Sequence, residues 1–308
     1  MRSTGRPITT LTTVGSEKIW SLASYLEKSD LTLRTQVGAR PASILMTLEG
    51  TINPMRQHPA YREIENLPLA ERQAKLRDSE FRRRILSEEK MLPRSKDAVR
   101  MMNNYDTIWV MDESLSYEPS DADSVASIAA ARNKDPLEVI MDTMAEGTPL
   151  LVLFGRYAGD LEGQRELIED PRSVFGLSDG GAHCGVLVDA SVPTYMLTYF
   201  SRDRQRGPTM SPEFIVHKMT RDTAELYGLH DRGLIQPGFK ADLNVIDYDN
   251  LKLHKPEMVY DLPGGGKRLV HGADGYRATI CSGVVTYRDG SHTGELPGRL
   301  IRGGQSAA

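Results

Sequence analysis

The densest concentration of chemistry-bearing residues is Ser173-Val174-Phe175-Gly176-Leu177-Ser178-Asp179-Gly180-Gly181-Ala182-His183. A short apolar run delivers Asp179 at its C-terminal end, and two glycines then let the backbone turn closely beneath a bound group. If that run is a strand of a parallel barrel, this end is the catalytic rim. A carboxylate there can ligate a metal ion and take a proton from metal-bound water, the chemistry that amide hydrolysis needs. Asp-Gly is also a common turn pair, and the residues alone leave both readings open. His183 can bond Asp179, orient a substrate, or simply belong to the loop. A nucleophilic Ser178-His183-Asp179 triad is disfavoured. Adjacent strand residues point to opposite sides, and no G-x-S-x-G elbow surrounds Ser178.

Other residues that could do chemistry are scattered. His58, His183, His217, His230, His254, His271 and His292 include no His-x-His pair and no His-Glu-x-x-His helix, so the sequence is poor in metal ligands. Cys184 and Cys281 lack a C-x-x-C spacing and read as reduced packing residues. Pro263-Gly264-Gly265-Gly266-Lys267-Arg268 lacks the phosphate-loop pattern and reads as a turn. Arg202-Asp203-Arg204-Gln205-Arg206 closes a predicted helix. An arginine there can pair a carboxylate bidentately, or answer the helix dipole.

The elements that must position these residues alternate in type. Apolar or β-branched runs at 8–12, 31–37, 107–111, 149–154 and 173–177 predict about five strands of a parallel set. Helical spacing falls between them at 15–28, 124–132, 136–146 with Asp135 as N-cap, and 161–169. Residues 64–90 suit charge-rich amphipathic helices with a solvated face, and 91–104 carry too weak a pattern to assign. Helices at 192–200 and 212–227 give way to short Gly-rich strands at 241–246, 276–281 and 284–287, with turn signals at Ser282-Gly283 and Asp289-Gly290. The expected organisation is α/β over 1–229, closed by a small β module over 230–308.

Composition narrows the function classes. A net charge of −4, with basic residues interleaved among acidic ones, provides no nucleic-acid face. The longest apolar run, Leu150-Leu151-Val152-Leu153-Phe154, is far too short to span a bilayer, and the chain reads as cytoplasmic, with no membrane partner.

Residues 176–183 resemble the last barrel strand of the amidohydrolase superfamily, specifically its N-acyl-D-amino-acid deacylase branch. The likeness continues through Asp189-Ala190-Ser191-Val192-Pro193-Thr194, Arg202-Asp203-Arg204, Thr220-Arg221-Asp222-Thr223-Ala224 and the stretch 233–247. Upstream it includes Gln36-Val37-Gly38-Ala39-Arg40-Pro41. The resemblance implies a partial (β/α)8 TIM-type barrel with a C-terminal β-sandwich module, and metal-dependent hydrolysis of the amide of a small-molecule N-acyl-D-amino acid. It makes Asp179 the catalytic acid/base and a metal ligand, with zinc or another divalent ion as cofactor. His183 and an arginine among Arg40, Arg202 and Arg204 would hold the substrate. The family's early His-x-His and first barrel strands have no counterpart here. The expectation is therefore the C-terminal part of such an enzyme, inactive alone and self-associating through exposed barrel edges. Hydrolysis of another cyclic or linear amide, or a non-catalytic fragment serving as an interaction module, are the alternatives.

Overall fold

The computed structural model describes residues 9–10, 34–91, 95–111, 115–153, 159–176, 178 and 180–304. The helix expected at 15–28 lies outside the described residues. Among them, β1 (Thr9–Thr10), β2 (Thr35–Val37) and β6 (Ser173–Phe175) pair in parallel in the order β1-β2-β6, with Val37 opposite Phe175.

A second sheet corrects the expectation of about five parallel strands. β3 (Ser43–Met46), β4 (Ile108–Val110) and β5 (Leu150–Leu153) are antiparallel, in the order β3-β5-β4. Two of these runs are legible as strands, but an apolar run carries no mark of its direction. β3 is absent from the sequence reading. It follows β2 after only residues 38–42, a link too short for the crossover that a parallel neighbour requires, so the chain turns into a different sheet.

The antiparallel sheet is buried on both faces, and strand alternation divides its side chains between two cores. Ile44, Met46, Ile108, Leu150 and Val152 join one, while Leu45, Trp109, Leu151 and Leu153 join the other. Helices cover the first face. Leu69–Arg77 and Ser79–Ser87 occupy the charge-rich stretch and bury Leu76, Phe81 and Ile85. Val125–Arg132 and Pro136–Ala145 complete the layer, the latter capped by Asp135, whose carboxylate accepts from the Leu137 N–H at 2.8 Å. Residues 91–104, unassigned from sequence, contain the helix Lys96–Asn103, capped by Ser95.

The second core gathers Val37, Ile168, Val192, Met196 and Phe200 with Leu251 and Leu269 from the C-terminal region. The helix Val192–Thr198 continues as a π-helical turn over Tyr199–Asp203, and another π turn, Lys218–Asp222, interrupts the helix expected at 212–227. π-helical turns occur often at functional sites.

The C-terminal region is all β. β7 (Leu243–Ile246), β12 (Tyr276–Cys281), β13 (Val284–Arg288) and β14 (Ser291–His292) form one antiparallel sheet. β8 (Lys252–Leu253) and β11 (Ala273–Asp274) pair antiparallel, while β9 (Glu257–Leu262) and β10 (Gly266–Val270) form a hairpin whose turn the glycines of 264–266 make as expected. The turn between β12 and β13 has φ of 51° at Ser282 and 81° at Gly283, the paired left-handed geometry that a two-residue hairpin needs.

Candidate functional site

The C-terminal ends of β2 and β6 lie side by side, tied by a bond from the Gly176 N–H to the Val37 carbonyl at 3.0 Å. A Cβ on Gly176 would fall 1.9 Å from Gln36 Cγ, so a side chain there would have to displace that of Gln36. Lys218 holds the opposite end of β6: its buried Nζ donates to the carbonyls of Ser173 at 2.7 Å and Asp170 at 3.0 Å. Burial lowers the Lys218 pKa, partly countered by Asp222.

Asp179 lies outside the described residues. The stretch after it is firmly held. Leu45 donates to the Val186 carbonyl at 2.8 Å, Thr51 to Gly185 at 3.1 Å, and Leu269 of β10 to Cys184 at 2.6 Å. His183 is exposed with φ of 48°, and its carbonyl accepts from the N–H groups of Val186 and Leu187.

Of the three arginines singled out from sequence, Arg40 touches this stretch. It leaves the end of β2 with its side chain 2% exposed. Nη2 donates to Asp189 Oδ1 at 3.0 Å and to the Val188 carbonyl at 3.2 Å, and Nη1 to Ser191 Oγ at 3.3 Å. Its guanidinium carbon sits 4.2 Å from the centroid of the Tyr117 ring and 5.9 Å from that of Tyr195, within cation–π range of both. Burial raises the pKa of each tyrosine, most strongly that of Tyr195. His271, directly after β10, completes the cluster with Nδ1 2.8 Å from Ser191 Oγ. Burial, then the neighbouring Arg40 charge, lowers His271 to about 4, so the imidazole is neutral at physiological pH.

Arg204 lies elsewhere and is committed. It donates to both oxygens of Glu118, to Glu162 at 3.0 Å and to the Pro208 carbonyl at 3.1 Å, with its side chain 0% exposed. Burial pushes the Glu118 carboxyl upward, but bonds from Arg204, Tyr199 and the Leu161 N–H outweigh it and hold it below the ordinary range. Arg202 bonds Asp203 and the carbonyls of Tyr248 and Leu251.

Asp189, Ser191, His271, Tyr117 and Tyr195 are not named as site residues by the sequence reading. Asp189 and Ser191 fall inside a stretch that carries the family resemblance. His271 has no local signal, because its partner is 80 residues away.

Among the described residues no three His, Cys, Asp or Glu side chains converge to hold a metal ion. His58 Nδ1 lies 3.4 Å from Glu88, His217 Nδ1 3.0 Å from Asp222 and His254 Nε2 2.9 Å from Asp274. The described residues therefore do not fit a metal centre by themselves. No helix among them is long and apolar enough to cross a membrane.

No curated protein matches this sequence. A solved D-aminoacylase with a binuclear metal center is 18% identical over 94% of this chain and 48% of its own, with a TM-score of 0.46. A second D-aminoacylase structure is 19% identical over 94% of this chain and 48% of its own, with a TM-score of 0.45. An N-acyl-D-glutamate deacylase from Bordetella bronchiseptica, complexed with zinc and a phosphonate inhibitor, is 15% identical over 98% of this chain and 49% of its own, with a TM-score of 0.42. This chain thus spans about half the length of each. The profile of the amidohydrolase family matches residues 19–287, and the chain belongs to that family.

Proposed function

We propose that this chain forms the C-terminal, substrate-facing part of a cytoplasmic amidohydrolase that cleaves the amide bond of N-acyl-D-amino acids. The observation that carries this reading is the family match over residues 19–287, taken with a motif, 176–183, that directly follows parallel strand β6. In this reading 1–229 is a partial (β/α)8-type barrel and 230–308 a β module.

Amide hydrolysis forms a C–O bond from water and breaks the C–N bond. It needs one group to take the water's proton and return it to the leaving nitrogen. Asp179 is the carboxylate we assign to that transfer, four residues in sequence after β6, on the side where barrel enzymes carry their chemistry. Arg40 is the arginine assigned to the substrate carboxylate, because of the three candidates it alone contacts residues 188–191. Arg202 and Arg204 support the wall behind it, and His183 orients the acyl group from the exposed loop. The reading calls for zinc or another divalent ion. Among the described residues no set of ligands for one converges.

The test is a D/L comparison. A protein carrying this segment together with a His-x-His segment is expected to release the amine from N-acetyl-D-amino acids and not from their L enantiomers. This segment by itself is expected to show no turnover. Equal turnover of both enantiomers, or none of either with metal bound, overturns the reading.

A further inference from the structure

We infer that His271, from the C-terminal β module, is a positioning residue for the rim of β2 and β6: it locks Ser191, and through Ser191 holds Arg40 and the stretch 184–191. The inference rests on reading that rim as the site, but its geometry stands apart from any activity. Ser191 Oγ is a node of three contacts, 2.9 Å from the Val188 carbonyl, 3.3 Å from Arg40 Nη1 and 2.8 Å from His271 Nδ1. A hydroxyl has one hydrogen and two lone pairs, so these three contacts use its full capacity. Arg40 Nη1 can only donate, and it donates to Ser191 Oγ. Loss of His271 therefore removes one of the three contacts that fix the hydroxyl, and loosens the bond that holds the guanidinium.

A second observation is independent of Ser191. β10 runs alongside the stretch that follows Asp179. Leu269 donates to the Cys184 carbonyl at 2.6 Å, and Lys267 Nζ bonds the Glu49 carbonyl beside the Thr51 turn that holds Gly185. The strand that pins residue 184 thus ends one residue before His271, which pins residue 191. The helix Val192–Thr198, which follows Ser191, meets the module again where Thr194 Oγ1 lies 2.7 Å from Tyr276 Oη. A rim arginine and a rim loop are held from a region that contributes no residue to the predicted chemistry.

Hydrogen exchange on the full chain tests this. His271→Ala is expected to speed exchange of the Val186, Leu187 and Ser191 amides about tenfold, the equivalent of one lost buried hydrogen bond, while amides of Pro136–Ala145 keep their protection. His271→Asn places a polar atom near the Nδ1 position and should restore most of it. Tyr276→Phe, which loses only the Thr194 bond, should leave 186–191 unchanged. In a turnover-competent protein, His271→Ala should raise KM for the free acid about tenfold with kcat nearly unchanged. Unchanged exchange at 186–191, an equal rise everywhere, or no restoration by asparagine overturns the inference. Absence of turnover in the parent, with the exchange pattern as expected, would defeat the proposed function and leave the inference standing.

Discussion

Arg204 places Nε and Nη2 against the two oxygens of Glu118, at 3.1 and 3.0 Å, with neither side chain exposed to solvent. Tyr199 Oη reaches the same carboxylate at 2.5 Å, and Tyr199 stacks on Tyr195 at 4.8 Å, which in turn contacts the Tyr117 ring below Arg40. A buried ionic pair is thereby joined through aromatic rings to the rim. Removing one member of such a pair strands the other charge, so Arg204→Met is expected to cost about 3–5 kcal/mol in urea unfolding. Adding Glu118→Leu should recover a substantial part. A cost below about 1 kcal/mol for Arg204→Met would contradict the burial of the pair.

Two buried histidines predict a pH dependence. His58 is lowered to about 4, chiefly by burial and then by the Lys90 charge, and His271 to about 4 by burial and Arg40. The unfolded chain titrates these groups near 6.5, so between the two values it binds more protons than the native protein. Their contribution is complete above about pH 6.5 and is lost progressively as pH falls toward 4, up to roughly 3 kcal/mol each. Urea midpoints between pH 7.5 and pH 5 should fall, and less steeply in His58→Gln than in the parent. A flat profile would mean that these rings are not buried neutral.

The mechanistic prediction concerns Asp179. In a turnover-competent protein containing this segment, Asp179→Asn should lower kcat by about 10²–10⁴ with little change in KM, since asparagine keeps the size but cannot move the proton. His183→Ala should cost less. Near-parental kcat in Asp179→Asn with full metal content would make the carboxylate structural.

The substrate carboxylate can be tested without changing the protein. Free N-acyl-D-amino acids should be preferred over their methyl esters, and Arg40→Met should erase that preference by lowering kcat/KM for the acid roughly 10–100-fold, the worth of a charged hydrogen bond. Equal kcat/KM for acid and ester in the parent would end the clamp assignment. Arg204→Met should leave the ratio unchanged, because Arg204 bonds Glu118, Glu162 and the Pro208 carbonyl and none of residues 188–191.

Val245, Val284 and Tyr287, exposed on the C-terminal sheet, predict self-association. Size-exclusion chromatography with light scattering should give a mass above 34.2 kDa at micromolar concentration. A monodisperse monomer would remove this expectation.

Local chemistry made part of this protein legible from residues alone. Asp135 caps a helix where its Pro-Leu-Glu successor predicts one, and the Ser-Gly and Asp-Gly pairs turn hairpins because left-handed φ at two successive positions is cheap there. The apolar runs at 150–153 and 173–175 are strands for the same local reason. Strand direction, however, is a property of the partner: β5 pairs antiparallel with β3 and β4, and nothing in Leu-Leu-Val-Leu encodes that. The assignment of the arginines was likewise decided at long range. Arg40, Arg202 and Arg204 are equal candidates in sequence. Glu118, 86 residues away, and Glu162 absorb Arg204, and the return of the chain through Asp189 and Ser191 brings Arg40 to the rim. His271 carries no signal in its own neighbourhood because its role is a single hydrogen bond across 80 residues, and such a bond exists only once two cores have packed and brought β10 alongside residues 184–191.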